Sequence, residues 1–131
     1  MPIQGADAAT FTYINFNRKK PQKWAKDKYQ IYLYLQPIDI DRSTAKVFNE
    51  NIAVDKNIIY YAPGTKIVYT IPKTAPLKII NEHYFQMGKE IYYLRFKDKK
   101  VLSFPVIKSF NVIDYRTIIA NEKTIFEGEI K

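Results

Sequence analysis

The chain has no cysteine. Disulfides, thiolate-bound zinc and thiol nucleophiles are therefore excluded, and the absence fits a reducing compartment. Glycine occurs only four times. The stretch "APGTK" (62–66) holds one of these and opens no helical pattern, so it is not a phosphate-binding loop. His83 is the single histidine. A histidine base needs an orienting carboxylate and a nucleophile, and Glu82, adjacent in a strand, would face the other way. No apolar run approaches a membrane span. The opening "MPIQGADAAT" lacks the basic-then-apolar order of a secretory leader. The expectation is a cytoplasmic protein, or a periplasmic one where a leader precedes it.

What is present points to a β protein. The 131 residues suffice for one domain, and 47% apolar with 26% charged residues describes a globular chain. Aromatic residues make up 15%, with 11 Tyr and 8 Phe, a bias that favours strands. The net charge of +8 suits contact with nucleic acid, an anionic membrane or an acidic protein, or solubility and guarded sheet edges.

One phrase recurs along the chain. "DKYQIY" (27–32) and "DKNIIY" (55–60) are its best copies, and "MGKEIY" (87–92) and "NEKTIF" (121–126) are degraded ones. Counted from Asp27, Asp55, Met87 and Asn121, Ile31, Ile59, Ile91 and Ile125 each stand four positions later. Tyr32, Tyr60, Tyr92 and Phe126 follow them. A second phrase places Phe48, Leu77 and Phe110 at 21, 22 and 23 residues after the first three starts. Self-similarity at roughly 30 residues marks a repeat protein.

Each repeat reads as strands around turns. Asp and Asn favour tight turns, and the β-branched and aromatic run after them favours a strand. In "YQIYLYL" (29–35) aliphatic residues alternate with Gln and Tyr, which predicts one continuous strand. "APGT" (62–65), "KDKK" (97–100) and "ANEK" (120–123) predict hairpin turns. Asp7 and Asp41 are placed to cap short helical turns. The expected fold is mainly β, with about four degenerate antiparallel hairpin units in one domain over 1–131. A twisted meander or sandwich with short helical turns is favoured over a closed barrel. The expected core includes Phe11, Ile31, Leu33, Phe48, Ile59, Leu77, Ile91, Phe110 and Ile118.

These phrases resemble the bacterial DKNYY family, whose units run DKN-x-V/I-YY and then A-D-x-x-T/S-F. Asp55, Lys56, Asn57, Ile59, Tyr60 and Tyr61 match the first motif, and Asp27, Lys28, Ile31 and Tyr32 match it again. Ala6, Asp7, Thr10 and Phe11 match the second. The resemblance implies small repeat proteins and brings no established activity, cofactor or catalytic residue.

Candidate sites are few. "DIDRSTAKVFNE" (39–50) has some calcium-loop carboxylates but lacks the sharp-turn glycine and a preceding helix. Glu127 and Glu129 share a strand spacing, whereas a glycosidase pair faces across a cleft. The strongest surface signal is the stretch around Trp24, flanked by Arg18, Lys19, Lys20, Lys23, Lys26 and Lys28. It suits an acidic protein partner with Trp24 as anchor, a phosphate backbone with a base stacked on the ring, or a solvated loop whose Trp covers the core. The expected function is a non-enzymatic protein-binding module without cofactor. An immunity protein that covers a bacterial toxin domain is one form of it, and a nucleic-acid-binding module using residues 18–28 is the alternative.

Overall fold

The computed structural model describes residues 7–14 and 23–131. Among them are 16 short strands and no helix. The strands form four antiparallel sheets of four, each a simple meander. The first holds β1 (Thr12–Ile14), β2 (Trp24–Lys26), β3 (Ile31–Leu33) and β4 (Gln36–Pro37). The second holds β5 (Lys46–Val47), β6 (Ile52–Val54), β7 (Ile58–Tyr61) and β8 (Tyr69–Pro72). The third holds β9 (Leu77–Ile79), β10 (Tyr84–Met87), β11 (Glu90–Arg95) and β12 (Asp98–Ser103). The fourth holds β13 (Phe110–Val112), β14 (Thr117–Ala120), β15 (Lys123–Phe126) and β16 (Glu129–Ile130). The chain divides into two compact units, Met1–Pro72 and Lys73–Lys131, so each unit carries two sheets.

The repeated isoleucines explain why the sheets are alike. Ile31, Ile59, Ile91 and Ile125 each lie in the third strand of a sheet and are all at most 2% exposed. In the first unit Trp24, Ile31 and Leu33 pack with Val47, Ala53, Tyr60 and Ala62. In the second, Tyr84, Ile91 and Tyr93 pack with Phe104, Ile118, Ala120 and Ile125. Cross-strand pairs fit large against small: Ala25 opposes Tyr32 and Ala53 opposes Tyr60. The equivalent pair in the third sheet is Phe85 with Tyr92, whose rings stack at 4.6 Å. Burial of several such rings, each about 150–250 Å², is the main source of cohesion in each unit.

The sequence period is correct, but its phase differs from the sheets. Asp27, Asp55, Met87 and Asn121 stand at the turn between second and third strands. Each sheet is thus the tail of one sequence repeat joined to the head of the next. The predicted strand over 29–35 is cut short. Tyr34 and Leu35 both have positive φ, 47° and 65°, and form the two-residue turn from β3 to β4. Glu127 (48°) and Gly128 (81°) turn β15 into β16 in the same way. A Cβ on Gly128 would stand 2.9 Å from the Cβ atoms of Lys100 and Tyr93, so glycine is required there. The hairpin around "APGT" forms, with β7 paired to β8, but its loop extends over 62–68.

Asp7 and Asp41 start single turns, not helices: Phe11 N donates to the Asp7 carbonyl at 2.9 Å and Thr44 N to that of Asp41 at 3.2 Å. Of the expected core, Ile31, Leu33, Ile59, Ile91 and Ile118 are buried. Phe11, Leu77 and Phe110 are half-buried. Phe48 is 38% exposed, with the Lys46 ammonium 4.7 Å from its ring centroid. It follows the last residue of a two-residue outer strand, where the alternation of faces no longer holds it inward.

Candidate functional site

The repeated phrase builds a hydrogen-bonded staple. In the first sheet Asp27 Oδ1 accepts the N–H of Tyr29 (2.8 Å) and Gln30 (2.7 Å). Its Oδ2 accepts Asp7 N and the Tyr32 hydroxyl, both at 2.8 Å. Thr10 donates to the Asp7 carboxylate at 2.6 Å and accepts Lys28 N at 2.9 Å. The second sheet copies this bond for bond. Asp55 Oδ1 accepts Asn57 N and Ile58 N at 2.8 Å, and its Oδ2 accepts Asp41 N at 3.0 Å and the Tyr60 hydroxyl at 2.7 Å. Thr44 donates to the Asp41 carboxylate at 2.7 Å and accepts Lys56 N at 3.0 Å. Lys28 and Lys56 stand 4.0 Å from Asp7 and Asp41.

The electrostatics follow from that geometry. Burial pushes the Asp27 carboxyl up, but its N–H and hydroxyl donors outweigh this and hold it down at about 2. Asp55 is lowered by the same balance. Tyr32 is pushed up to about 12 by burial and by the Asp27 carboxylate it donates to. Tyr60 is raised for the same reasons.

The second unit performs the same closure with uncharged groups. At the third sheet Met87 takes the aspartate position, and Thr74 N lies 3.5 Å from its sulfur. Gly88 N donates to the Pro76 carbonyl at 3.0 Å. At the fourth, Asn121 Oδ1 accepts Lys108 N at 2.7 Å, while its Nδ2 donates to the Val106 carbonyl at 2.6 Å. In all four sheets the second turn is tied to the segment that precedes the sheet's first strand. The motif's Asp27, Tyr32, Asp55, Tyr60 and Tyr61 are therefore spent inside the fold, while Thr10, Lys28, Lys56 and Asn57 are exposed.

The basic stretch divides under the structure. Arg18, Lys19 and Lys20 lie outside the described residues. Lys23 is 7% exposed and donates to the Ala62 carbonyl at 2.5 Å. Trp24 is fully buried, with Nε1 donating to the Glu50 carbonyl at 2.9 Å. Its indole is a core element of β2 and presents no face to a partner or a base. Lys26 and Lys28 are exposed. The solvated-loop reading of this stretch does not hold from Trp24 to Lys26, which form a strand.

His83 sits at the β9–β10 turn, Nδ1 2.9 Å from the Leu94 carbonyl, so that nitrogen carries the proton. Its ring lies 6.0 Å from Tyr93 and 5.7 Å from Tyr115. Asp41 is committed to Ser43, Thr44 and the Asp55 carboxylate that accepts its N–H. Glu127 pairs with Arg95 at 2.9 Å, and Glu129 with Lys100 at 2.5 Å.

Two surfaces of the second unit escaped sequence reasoning. At one end the first and last turns of the third and fourth sheets meet, joined by the His83–Tyr115 and Arg95–Glu127 contacts. Phe96 (63% exposed), Ile113 (55%) and Tyr115 (56%) protrude there. At the opposite end the segment 104–109 bridges both middle turns. Phe104 N donates to the Lys89 carbonyl at 2.9 Å, and Val106 and Lys108 bond Asn121. An open cleft of about 340 Å³ lies beside it, lined by Lys108, Ser109, Asn121 and Glu122. The loss of Asp at positions 87 and 121 was the available signal for this second surface.

No match is found among curated proteins or among solved structures. The family model with the description DKNYY family matches residues 1–129. With the staple built from that motif's own residues, the chain belongs to the DKNYY family.

Proposed function

We propose that this protein is a non-catalytic module that binds a protein partner with an acidic surface. One form of the role is immunity: covering a toxin domain so that it cannot act. The observation that supports it is the end of the second unit where Phe96, Ile113 and Tyr115 protrude beside Arg95 and Arg116. Exposed aromatics with arginine are the usual composition of protein-interface anchors. Phe96 is also held at φ 52°, a conformation that a bulky side chain adopts at a cost. Arg116 Nε and Asn81 Nδ2, both at this end, are buried without a hydrogen-bond partner among the described residues, a local cost to stability.

The test is affinity capture from the native host before and after nuclease treatment, followed by reconstitution with the purified partner. Retention of one protein after nuclease, and 1:1 binding on reconstitution, is the expected result. Retention that disappears with nuclease would transfer the proposal to nucleic acid.

A further inference from the structure

We infer that the opposite end of the second unit, around the bridging segment 104–109, is the docking site for an acidic segment of the partner protein. This rests on the protein-binding reading and locates its charged component. In the first unit each middle turn sets a lysine against acids: Lys28 against Asp7 and Lys56 against Asp41, with Asp27 and Asp55 in the turns themselves. In the second unit those acids are gone. Met87 and Asn121 do the closing without charge, and Pro76 and Lys108 stand where Asp7 and Asp41 supply the tie.

The lysines remain. Lys73, Lys89, Lys108 and Lys123 are all exposed, and none forms an ion pair among the described residues. The backbone joins them into one surface: Thr74 reaches Met87, Lys89 accepts from Phe104, and Asn121 holds Val106 and Lys108. Opposing them are Glu90, which accepts from Ser103, and Glu122 in the cleft wall. The surface therefore keeps an excess of positive charge, and charge complementarity selects an acidic occupant.

A protein segment fits better than a nucleic acid. Stacking of bases needs exposed rings beside the lysines. The exposed rings of this unit, Phe96 and Tyr115, lie at the other end of its sheets, and the apolar neighbour here is Val106, 50% exposed. An aliphatic contact set among lysines, next to a cleft with Ser109 in its wall, suits carboxylate side chains and an apolar neighbour on a peptide.

The experiment uses the full chain and a fluorescein-labelled twelve-residue polyglutamate peptide, read by anisotropy at low salt. A single-stranded oligonucleotide of twelve thymidines is the comparison probe. The triple variant Lys89→Gln, Lys108→Gln, Lys123→Gln should weaken peptide binding by about tenfold, as loss of three complementary charges predicts. Lys28→Gln with Lys56→Gln should leave it within about twofold, since those charges already face carboxylates. Because the substituted lysines make no ion pair, thermal midpoints should stay near the parent value. Equal losses from both sets of lysines would overturn the site in favour of diffuse charge. Tighter binding of the oligonucleotide than of the peptide would overturn the choice of occupant. A captured partner that binds the triple variant at full strength would also overturn this site, and would leave the protein-binding reading standing.

Discussion

Asp55→Asn tests whether the staple, rather than the turn alone, holds the first unit together. The substitution keeps Oδ1, so the N–H groups of Asn57 and Ile58 keep their acceptor. It replaces Oδ2 with an NH2 group facing Asp41 N and the Tyr60 hydroxyl. Each bond to a charged acceptor is worth about 1.5–3 kcal/mol. The new amide can donate to the Tyr60 oxygen, which trims the loss, but nothing relieves two donors facing each other at Asp41 N. The expected cost is about 2–3 kcal/mol, a substantial part of a typical 5–15 kcal/mol domain stability. Asn49→Asp is the matched control. Asn49 Oδ1 also accepts two backbone N–H groups in a turn, from Asn51 and Ile52, and its Nδ2 makes no hydrogen bond among the described residues. That change should stay within about 0.5 kcal/mol. Urea denaturation followed by the fluorescence of Trp24 reads the first unit alone, since the chain's one tryptophan lies in the same core as Tyr60. If Asp55→Asn shifts the midpoint no more than Asn49→Asp does, Oδ2 contributes nothing and the staple is incidental.

Acid should weaken the first unit. Asp27 is held at about 2 against an ordinary 3.8, so its contribution is complete above about pH 4 and is lost as pH falls toward 2. It amounts to roughly 1–2 kcal/mol after allowance for screening at the turn. Trp24 emission should report that transition, and Asp27→Asn should flatten it while lowering stability at neutral pH. Trp24→Ala should cost about 3–5 kcal/mol without any partner present, measured by near-UV circular dichroism and urea midpoints; an unchanged midpoint would refute its core role. Lys23→Glu should likewise destabilise, by about 2–4 kcal/mol, because a carboxylate would face the Ala62 carbonyl in a buried position. Phe110→Ala should cost only about 1–2 kcal/mol, against about 3–4 for the fully buried Ile118→Ala; equal midpoints for the two would show that the half-exposed ring is buried in solution.

Much of the architecture was readable because it is local. Turn-forming Asp or Asn, followed four residues later by a buried Ile, marked three of the four middle turns, and the same Ile spacing after Met87 marked the fourth. The repeat period also survived Met87 and Asn121, which keep the position while changing the chemistry. What could not be read was decided by neighbours distant in sequence. Tyr34 and Leu35 have strand-like side chains, so nothing local announced their left-handed turn. Lys23 and Trp24 look like an exposed basic motif, yet the second sheet covers them through Ala62 and Glu50. Phe48 has the spacing of a core residue but falls beyond the end of a strand only two residues long. Both surfaces of the second unit join turns from two sheets, and no window of sequence contains them.

The staple also bears on how such a chain can grow. Its ties link residues 20 and 14 apart in the first unit, and 13 apart in the second. Each sheet therefore carries its own fastening and borrows none of these bonds from its neighbours. A duplicated stretch would bring a complete closure with it, at the modest entropy of a short loop. Once copied, a fastening built on aspartate can drift to asparagine or methionine, provided the tie to the preceding segment survives. That drift changes the charge of the copy's surface without disturbing its frame, so one copy can remain scaffold while another acquires a new face.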